Sequence, residues 1–485
     1  MSDKKYLTYE EFGAVGDGVH DDMPAIVACH DAANAEGLPV VAKSGATYYI
    51  GNVNRTATVK TDVDFSDAKI IIDDRGVEIK NPHCFLVASD YETVEIPAES
   101  ITIGDGKINF PHEGNQLVRF SSDERKVFIR KGLNANKGID ISDTVIVDKD
   151  GNILTPMNWE YTKITKASAR CNDDRPITIK GGIFTTIANC APSKYTYHNR
   201  GFSVMRSHVT FEGITHYVEG EGDHGAPYNG FITSGTSSDL TIRDSLLTPR
   251  KTYRTDVEAH PGKTVAMGSY DISFYDTINV TLINLTQTID INDKRYWGIM
   301  GSNLCKNIYM ENCVVSRFDA HAGVLGATVK NCHFGYMCLC LIGRGEFYME
   351  NSSVRGDQLL YLREDYGSFW CGNFTVKNCE WIPVNGRAAV LTSNNPGDHD
   401  FGYEAMMPRR VTIDGLKIKR AEYDGEQPGE YYVLGDYAAE FNPDAPYPYK
   451  PTEELYYSGI VAENGAEIKP YKTKEMFAST KVFAN

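Results

Sequence analysis

The sequence predicts a right-handed parallel β-helix, an all-β solenoid of stacked coils preceded by an N-terminal capping helix. Three observations predict this fold. A short strand pattern recurs along most of the 485-residue chain. The same kind of turn residue follows each copy at the same offset, and a glycine-rich segment with a helical stretch precedes the first copy. A single coil cannot bury its own apolar face, so such a chain is stable only when many coils stack.

The recurring pattern is an aliphatic residue, a Thr or aromatic residue, another apolar residue, one variable position and then Asn, Asp or Gly. The alternation predicts a strand with one face inward, and the Asn, Asp or Gly position tolerates the left-handed backbone of a sharp turn. A β-sandwich would show the alternation but not the constant turn position, and the leucine ladder of a leucine-rich repeat is absent. The copies are ITIGDGKI (101–108), ITIKGGIF (177–184), VTFEGITH (209–216), LTIRDSLL (240–247), VTLINLTQ (280–287), IYMENCVV (308–315), ATVKNCHF (327–334), FYMENSSV (347–354), FTVKNCEW (374–381) and VTIDGLKI (411–418).

The pattern divides the chain into three parts. Residues 1–50 are predicted to form an N-terminal cap, and residues 51–420 form the β-helix. A charged excursion at about 110–175 and a basic loop at 248–266 interrupt the coils. Residues 421–485, rich in Tyr, Pro and acidic residues, are predicted to pack back as a tail or cap.

The N-terminal segment carries a second signal. It reads FGAVGDG (12–18), followed by Asp21-Asp22 and Ala25-Ile26. The glycines permit a tight loop, and Asp21 or Asp22 is predicted to cap a helix that runs to about Glu36. The paired carboxylates also suggest catalysis, but capping is the better interpretation because helix starts favour Asp at this position.

This segment closely resembles the opening motif of the pectate-lyase-like β-helix superfamily, whose members include polygalacturonases, other glycoside hydrolases, lyases and phage tailspikes. The resemblance implies a carbohydrate-active protein whose partner is an oligosaccharide or polysaccharide. The Asn-Thr-Asp, Asp-Asp, Gly-His-Gly and Arg-Ile-Lys set of polygalacturonases does not occur here in order. The calcium-binding carboxylates and arginine base of pectate lyases cannot be mapped either, so the substrate is not specified.

Composition narrows the partners. The formal net charge of −16 argues against nucleic acid, and no apolar stretch of about 18 residues predicts a membrane span. No HExxH or paired CxxC pattern occurs, so neither a metal nor a cofactor is predicted. Eleven cysteines without paired spacing and a start without signal-peptide features favour a cytoplasmic setting, unless a secretion signal was removed. Solenoids of this class often trimerise, so a homotrimer is a further expectation.

Candidate catalytic residues follow from the repeat phase, which is the number of residues between a side chain and the next copy of the repeat. Successive coils stack about 4.8 Å apart, so residues at similar distances before their next repeat line one groove. Asp271 precedes Leu282, and Asp319 precedes Val329, by nearly the same interval. Two coils separate their backbones by about 9–10 Å. Carboxylates about 6.5–9.5 Å apart suit an inverting glycosidase and about 5 Å a retaining one, so the stereochemistry stays open.

Further polar and aromatic residues fall beside this pair. His321 is predicted to tune a carboxylate from the strand of Asp319, and Glu364 is the rival partner carboxylate. An aromatic ring with nearby donors is what a sugar requires. The predicted binding residues are His224, Asn229, Arg295, Tyr296, Trp297, Arg317, Arg363 and Asp365. Each has a structural alternative, such as a turn cap for Asp271 or surface ion pairs for the Arg–Asp sets.

Three functions remain open on the sequence. The leading hypothesis is a glycoside hydrolase with Asp271 and Asp319 as acid and base, its pocket closed by the 248–266 loop. A polysaccharide lyase or uronate epimerase would instead use Arg317 or Arg295 to neutralise a uronate and His321 or Tyr296 to abstract a proton. The third is a non-catalytic, tailspike-like or glycan-binding solenoid.

Overall fold

The computed structural model describes residues 5–51, 54–78, 82–104 and 106–484. Within these residues, one parallel sheet of 33 strands winds into the predicted right-handed β-helix. The strands fall into three columns, here named the repeat face, the site face and the third face. No helix in the described ranges is both long and apolar enough to span a membrane.

The repeat face holds the strand of each recurring pattern from residue 177 onward. The copy at 101–108 was predicted to be a coil but lies in an antiparallel hairpin outside the solenoid, and the insertion begins before residue 110. The strands of the repeat face, in chain order, are Val40–Val41, Val63–Asp64, Ile177–Lys180, Val209–Glu212, the second parts of Ile232–Arg243 and Ile272–Ile283, Cys305–Glu311, Val324–Lys330, Gly343–Glu350, the first parts of Trp370–Pro383, Arg410–Ile418 and Glu454–Ala462, and Lys481–Ala484.

The third face follows the turn after each repeat. It consists of Asp17–Asp21, Thr47–Ile50, Lys69–Asp73, Ile183–Ile187, Thr215–Glu219, Leu246–Leu247, Thr286–Gln287, Val314–Val315, His333–Phe334, Ser353–Gly356 and the ends of Trp370–Pro383, Arg410–Ile418 and Glu454–Ala462.

The site face precedes the next repeat and carries the polar segments singled out above. It consists of Ala57–Val59, Phe85–Ala88, Phe202–Met205, the first parts of Ile232–Arg243 and Ile272–Ile283, Met300–Asn303, Phe318–Ala320, Leu339–Leu341, Leu360–Leu362, Ala389–Thr392, Glu430–Leu434 and Glu467–Tyr471.

Two insertions leave the solenoid. The larger is a four-stranded antiparallel sheet of Val94–Ile96, Lys166–Cys171, Gln116–Val127 and Ile139–Val147, with a small hairpin of Ile103–Gly104 and Lys107–Ile108. The smaller is a hairpin of Tyr253–Asp256 and Thr264–Met267 inside the predicted basic loop. Short 3₁₀ helices span Tyr9–Phe12, Ala98–Ser100 and Glu364–Tyr366.

The turn between the repeat face and the third face explains the repeated Asn, Asp or Gly. Asp244, Asn284, Asn312 and Gly415 occupy this turn with φ values of 53°, 54°, 54° and 79°, a left-handed conformation that most side chains avoid. The amides also bridge successive coils, since Asn284 Nδ2 donates to Asp244 Oδ1 at 2.6 Å. The small residues after this turn point inward, and Cys313, which follows Asn312, is fully buried.

The N-terminal helix runs from Met23 to Glu36, as predicted. Asp21 and Asp22, however, make different hydrogen bonds. Asp21 Oδ1 accepts a hydrogen bond from Met23 N at 3.1 Å at the helix start. Asp22 makes no side-chain cap bond. Its buried carboxylate instead accepts Val15 N at 2.7 Å and so holds the glycine loop against the helix.

The C-terminal segment differs from the predicted tail. Its strands at Glu430–Leu434, Glu454–Ala462, Glu467–Tyr471 and Lys481–Ala484 pair in parallel with the preceding coils. The solenoid therefore continues through residues predicted to pack back along it. Tyr456 and Tyr457 take the strand positions of Thr412 and Ile413 on the preceding coil, and Gly459 keeps the left-handed turn with a φ of 60°, so the local pattern persists in this segment.

Candidate functional site

A cavity of about 420 Å³ opens on the site face. Its lining contains three arginines, one histidine and several aromatic rings, and no Asp or Glu among the described residues. Such a lining is electropositive and offers both hydrogen-bond donors and ring faces. The lining residues are Arg130, Asn134, Tyr195, Tyr197, Tyr228, Asn229, Ala266, Gly268, Tyr270, Ser273, Tyr275, Trp297, Asn303, Arg317, His321 and Arg363.

Asp319 lies directly beneath this lining. It occupies the same register position as Ser273 and Gly301 on the two preceding coils, which is an outward position because the adjacent Phe318 belongs to the hydrophobic core. Asp319 is nevertheless fully buried, since larger side chains cover it. It therefore supports the cavity from below without lining it.

Each oxygen of Asp319 is occupied. Oδ1 accepts a hydrogen bond from Arg363 Nη1 at 2.9 Å, and Oδ2 lies 2.9 Å from Arg317 Nη2 and accepts the Tyr270 hydroxyl. Burial alone raises the pKa of the Asp319 carboxyl, but Arg317 and Arg363 outweigh it and lower the pKa to about 2. The group is ionised at any ordinary pH and cannot donate a proton.

Two glycines make room for the aromatic rings. Gly301 lies under the Tyr270 ring, where a Cβ would stand 2.9 Å from the nearest ring carbon. The Tyr270 side chain can therefore cross this coil to reach Asp319. Gly268 has the same relation to Trp297, whose Nε1 would be 2.7 Å from an added Cβ. The position of both rings depends on these missing side chains.

The arginines are held rather than mobile. Arg317 and Arg363 are buried, and the Arg317 guanidinium lies over the Trp297 ring at 4.6 Å from its centroid, a favourable cation–π arrangement. Arg363 also donates to both oxygens of Asp365, at 3.1 and 2.9 Å. Asp365 therefore already occupies the Nε–Nη2 edge of Arg363, and guanidinium groups held in this way attract carboxylate or sulfate groups through their remaining N–H groups.

The third arginine comes from the antiparallel insertion, which forms one wall of the cavity. Arg130 Nε lies 2.8 Å from Asp365 Oδ2, and Asn134 Nδ2 donates to the Tyr195 hydroxyl at 3.2 Å. The predicted basic loop contributes only Ala266 to the lining. The excursion at 110–175 thus supplies cavity-lining residues that the spacing of the repeats could not reveal.

His321 lies half-buried in the lining, beside Arg363. Its Nδ1 is 2.9 Å from Asn303 Oδ1, and since that oxygen only accepts, Nδ1 carries the proton and Nε2 the lone pair. Burial, followed by the charge of Arg363, lowers the pKa of His321 to about 4. The imidazole is therefore neutral around pH 7, with its lone pair on Nε2.

Asp271 lies inside the solenoid instead. Its carboxylate accepts His216 Nδ1 at 2.8 Å and Thr248 N at 3.0 Å, and Arg250 Nη2 is 3.6 Å away. Asp271 and His216 have no exposed surface. The structure does not bring Asp271 and Asp319 to one cavity, because the register aligns Ser273, and not Asp271, with Asp319.

The predicted site residues fall into two groups, those that line the cavity and those that do not. Asn229, Trp297, Arg317, His321 and Arg363 line the cavity together. The others lie outside its lining: Asp271, Asp319, His224, Arg295, Tyr296, Glu364 and Asp365.

The residues outside the lining have structural partners. Arg295 is exposed and donates from Nη2 to Asp293 at 2.6 Å. Of the three consecutive predicted residues Arg295, Tyr296 and Trp297, only Trp297 lines the cavity. His224 is exposed, with Nδ1 3.2 Å from the Ala191 carbonyl. Both side chains are thus engaged by neighbouring residues outside the cavity lining.

Several lining residues were not predicted, among them Tyr270, Asn303 and Arg130. Tyr270 is adjacent in sequence to the predicted Asp271, and the alternation of side chains sends one to the cavity and the other to the interior. Asn303 follows Gly301 at a spacing of two, a signal that the strand period could have provided.

Comparison with known proteins supports the fold. No protein-family model matches the chain, and no similar sequence is found among curated proteins. Among solved structures, the tailspike gp61 of Pseudomonas phage phi297 is similar, with a TM-score of 0.54 at 11% identity over 95% of this chain and 76% of that chain. Others are the gp54 tailspike of Acinetobacter baumannii bacteriophage AP22 in complex with A. baumannii capsular saccharide (TM-score 0.47, 10% identity, 99% and 79% covered) and the Streptococcus pneumoniae surface protein and adhesin PfbA (TM-score 0.46, 14% identity, 96% and 100% covered). At such identities the likeness concerns the fold alone, and the chain shares the parallel β-helix with the phi297 tailspike.

Proposed function

We propose that this protein binds an acidic saccharide in the arginine-lined cavity and cleaves it by β-elimination, as a polysaccharide lyase. The observation that carries the proposal is the lining itself, which contains Arg130, Arg317 and Arg363 and no carboxylate. The three arginines share two carboxylates behind the lining, Asp319 and Asp365, so one positive charge is left uncompensated and favours a uronate over a neutral sugar. Its aromatic rings suit the apolar face of a sugar ring.

The elimination step needs three functions. Arg317 and Arg363 would neutralise the substrate carboxylate, which makes the hydrogen on the adjacent carbon more acidic. His321 Nε2 would take that proton, and the electron pair would form a carbon–carbon double bond as the glycosidic carbon–oxygen bond breaks. The imidazolium would then give its proton to the leaving oxygen, which returns His321 to its neutral form.

Hydrolysis by Asp271 and Asp319 is less well supported. Asp271 is enclosed by His216 and Thr248, and Asp319 is ionised and saturated by its partners. A hydrolase of this type needs one protonated carboxyl in contact with the leaving oxygen. Asp319 is better suited to positioning the two arginines and Tyr270.

Non-catalytic glycan binding is a second candidate, favoured by one observation. The low pKa of His321, about 4, makes it a weak base. Burial is the larger cause of this low pKa and the charge of Arg363 the smaller, so a bound uronate beside Arg363 would offset only the smaller cause.

Products decide between these functions. The protein would be incubated with uronate-containing polysaccharides, followed by ultraviolet absorbance and mass spectrometry. Elimination yields an unsaturated, absorbing end group without added water, whereas hydrolysis adds one water per cleavage. Binding without any new end groups would support the non-catalytic function and overturn the lyase proposal.

A further inference from the structure

A second cavity of about 270 Å³ adjoins the first along the solenoid axis. Its lining residues are Lys131, Gly132, Glu364, Asp365, Asn394, Pro396 and Phe401. The wall between the cavities is the ion pair of Arg130 with Asp365, since Arg130 lines the first cavity and Asp365 the second.

We infer that one saccharide chain occupies both cavities, with an acidic sugar among the arginines and an uncharged sugar beside Glu364. The inference rests on the proposed function and narrows its substrate class to a heteropolymer that alternates acidic and neutral sugars.

The strand register places the two cavities in line. Arg363 follows the strand Leu360–Leu362, and Asn394 follows Ala389–Thr392, which pairs with it on the next coil. Adjacent coils lie about 4.8 Å apart. A ligand that runs along the axis from Arg363 therefore meets Glu364 and Asn394 next.

The charges of the second cavity are unevenly compensated. Asp365 is neutralised by Arg130 and Arg363, and Lys131 Nζ is engaged by Asp398 at 2.6 Å. Among the ion pairs of the described residues, none includes Glu364. Of the side-chain donors in the part of the chain that the structure describes, only the neutral Asn394 amide reaches its exposed carboxylate, at 2.8 Å.

This arrangement selects against a second acid. A carboxylate and an amide side by side accept and donate hydrogen bonds to sugar hydroxyls, and Phe401 offers an apolar surface on the same cavity. A uronate placed there would meet the like charge of Glu364, a repulsive element of the kind that sets specificity. In the first cavity Arg317 and Arg363 share the single carboxylate of Asp319, whereas in the second Glu364 has no ion-pair partner among the described residues, so an acidic sugar is better placed in the first cavity than in the second.

The test compares two tetrasaccharides by calorimetric titration: one from hyaluronan, which alternates uronate and N-acetylhexosamine, and one of galacturonate alone. Glu364→Gln removes the charge and keeps the shape. It is expected to raise affinity for the galacturonate tetramer about three- to fivefold, as for one partly exposed charge contact. Affinity for the alternating tetramer should stay the same or fall. Glu36→Gln, which changes an exposed carboxylate at the end of the N-terminal helix, is the matched control and should alter neither.

Three results overturn the inference. Wild-type protein binds only the galacturonate tetramer, or Glu364→Gln shifts both affinities equally, or it shifts neither. Arg317→Gln, with folding checked by thermal denaturation, separates this failure from a failure of the proposed function. If neither tetramer binds, or if binding survives Arg317→Gln unchanged, the acidic-saccharide site itself is refuted and the inference falls with it.

Discussion

Asp319→Asn tests the central feature of the site, a buried carboxylate that anchors two arginines and a tyrosine. The substitution keeps the shape of the side chain but leaves the buried guanidinium groups of Arg317 and Arg363 without their shared counter-charge. The pKa of Asp319 falls from an ordinary 3.8 to about 2 on folding, which corresponds to about 2–3 kcal/mol of stability. Breaking a buried ion pair on one side costs about 3–5 kcal/mol. We expect the free energy of unfolding to drop by about 2–5 kcal/mol.

The pH dependence has a definite sign. Because the folded-state pKa is depressed, the stabilisation is fully present above pH 4 and is lost as the pH falls through about 2. The difference between wild type and Asp319→Asn in urea unfolding should therefore be largest near neutral pH. It should shrink between about pH 4 and pH 2.

The ligand readout separates positioning from catalysis. A positioning role predicts weaker binding of acidic saccharides together with lower turnover. A role as general base predicts unchanged binding and the loss of one limb of the pH–rate profile. Asp150→Asn removes an exposed carboxylate that lies 4.0 Å from Lys149 Nζ and is the control expected to behave as wild type. Wild-type stability and wild-type binding in Asp319→Asn would refute the anchoring role.

Three further predictions follow from neighbouring residues. Gly301→Ala should weaken saccharide binding several-fold with little change in Tm, because its Cβ would stand 2.9 Å from the Tyr270 ring. Gly429→Ala is the control, since an added Cβ there has no atom within 4 Å. Equal saccharide binding by both variants would contradict the reasoning. His321→Gln should abolish elimination but preserve binding, and in the wild type kcat/KM should fall as the pH drops through about 4, because the free-enzyme base is then protonated; a constant rate down to pH 3 would exclude His321 as the base. Asp271→Asn should lower Tm and leave saccharide affinity unchanged, because its partners lie inside the solenoid; a selective loss of turnover at full stability would restore it as a catalytic candidate.

The repeat pattern was sufficient to predict the fold. Its alternating residues, such as those around Val280 and Ile308, form the parallel repeat face, and its Asn positions, such as Asn284, adopt the left-handed turn. These are local properties of each coil, repeated until they dominate the architecture. The same reasoning located the site face, because polar segments before each repeat stack on one side.

The site itself was predicted only in part. The repeat phase brought Trp297, Arg317, His321 and Arg363 correctly to one place. It misplaced Asp271 because a shift of one or two residues at a corner decides whether a side chain enters the cavity or the interior. Counting residues between a candidate side chain and the next repeat does not detect a shift of one or two residues.

Sequence alone determined the coil, its turn and the face on which polar residues gather, since each depends on neighbours a few residues apart. The tertiary structure determined which side chains line the cavity and which lie buried behind it. It buried Asp319 beneath Arg317 and Arg363, brought Tyr270 across Gly301, and delivered Arg130 from an insertion far away in the chain. Charge compensation and burial are set by contacts between distant coils, and these contacts turned a predicted pair of catalytic carboxylates into a cavity lined by arginines.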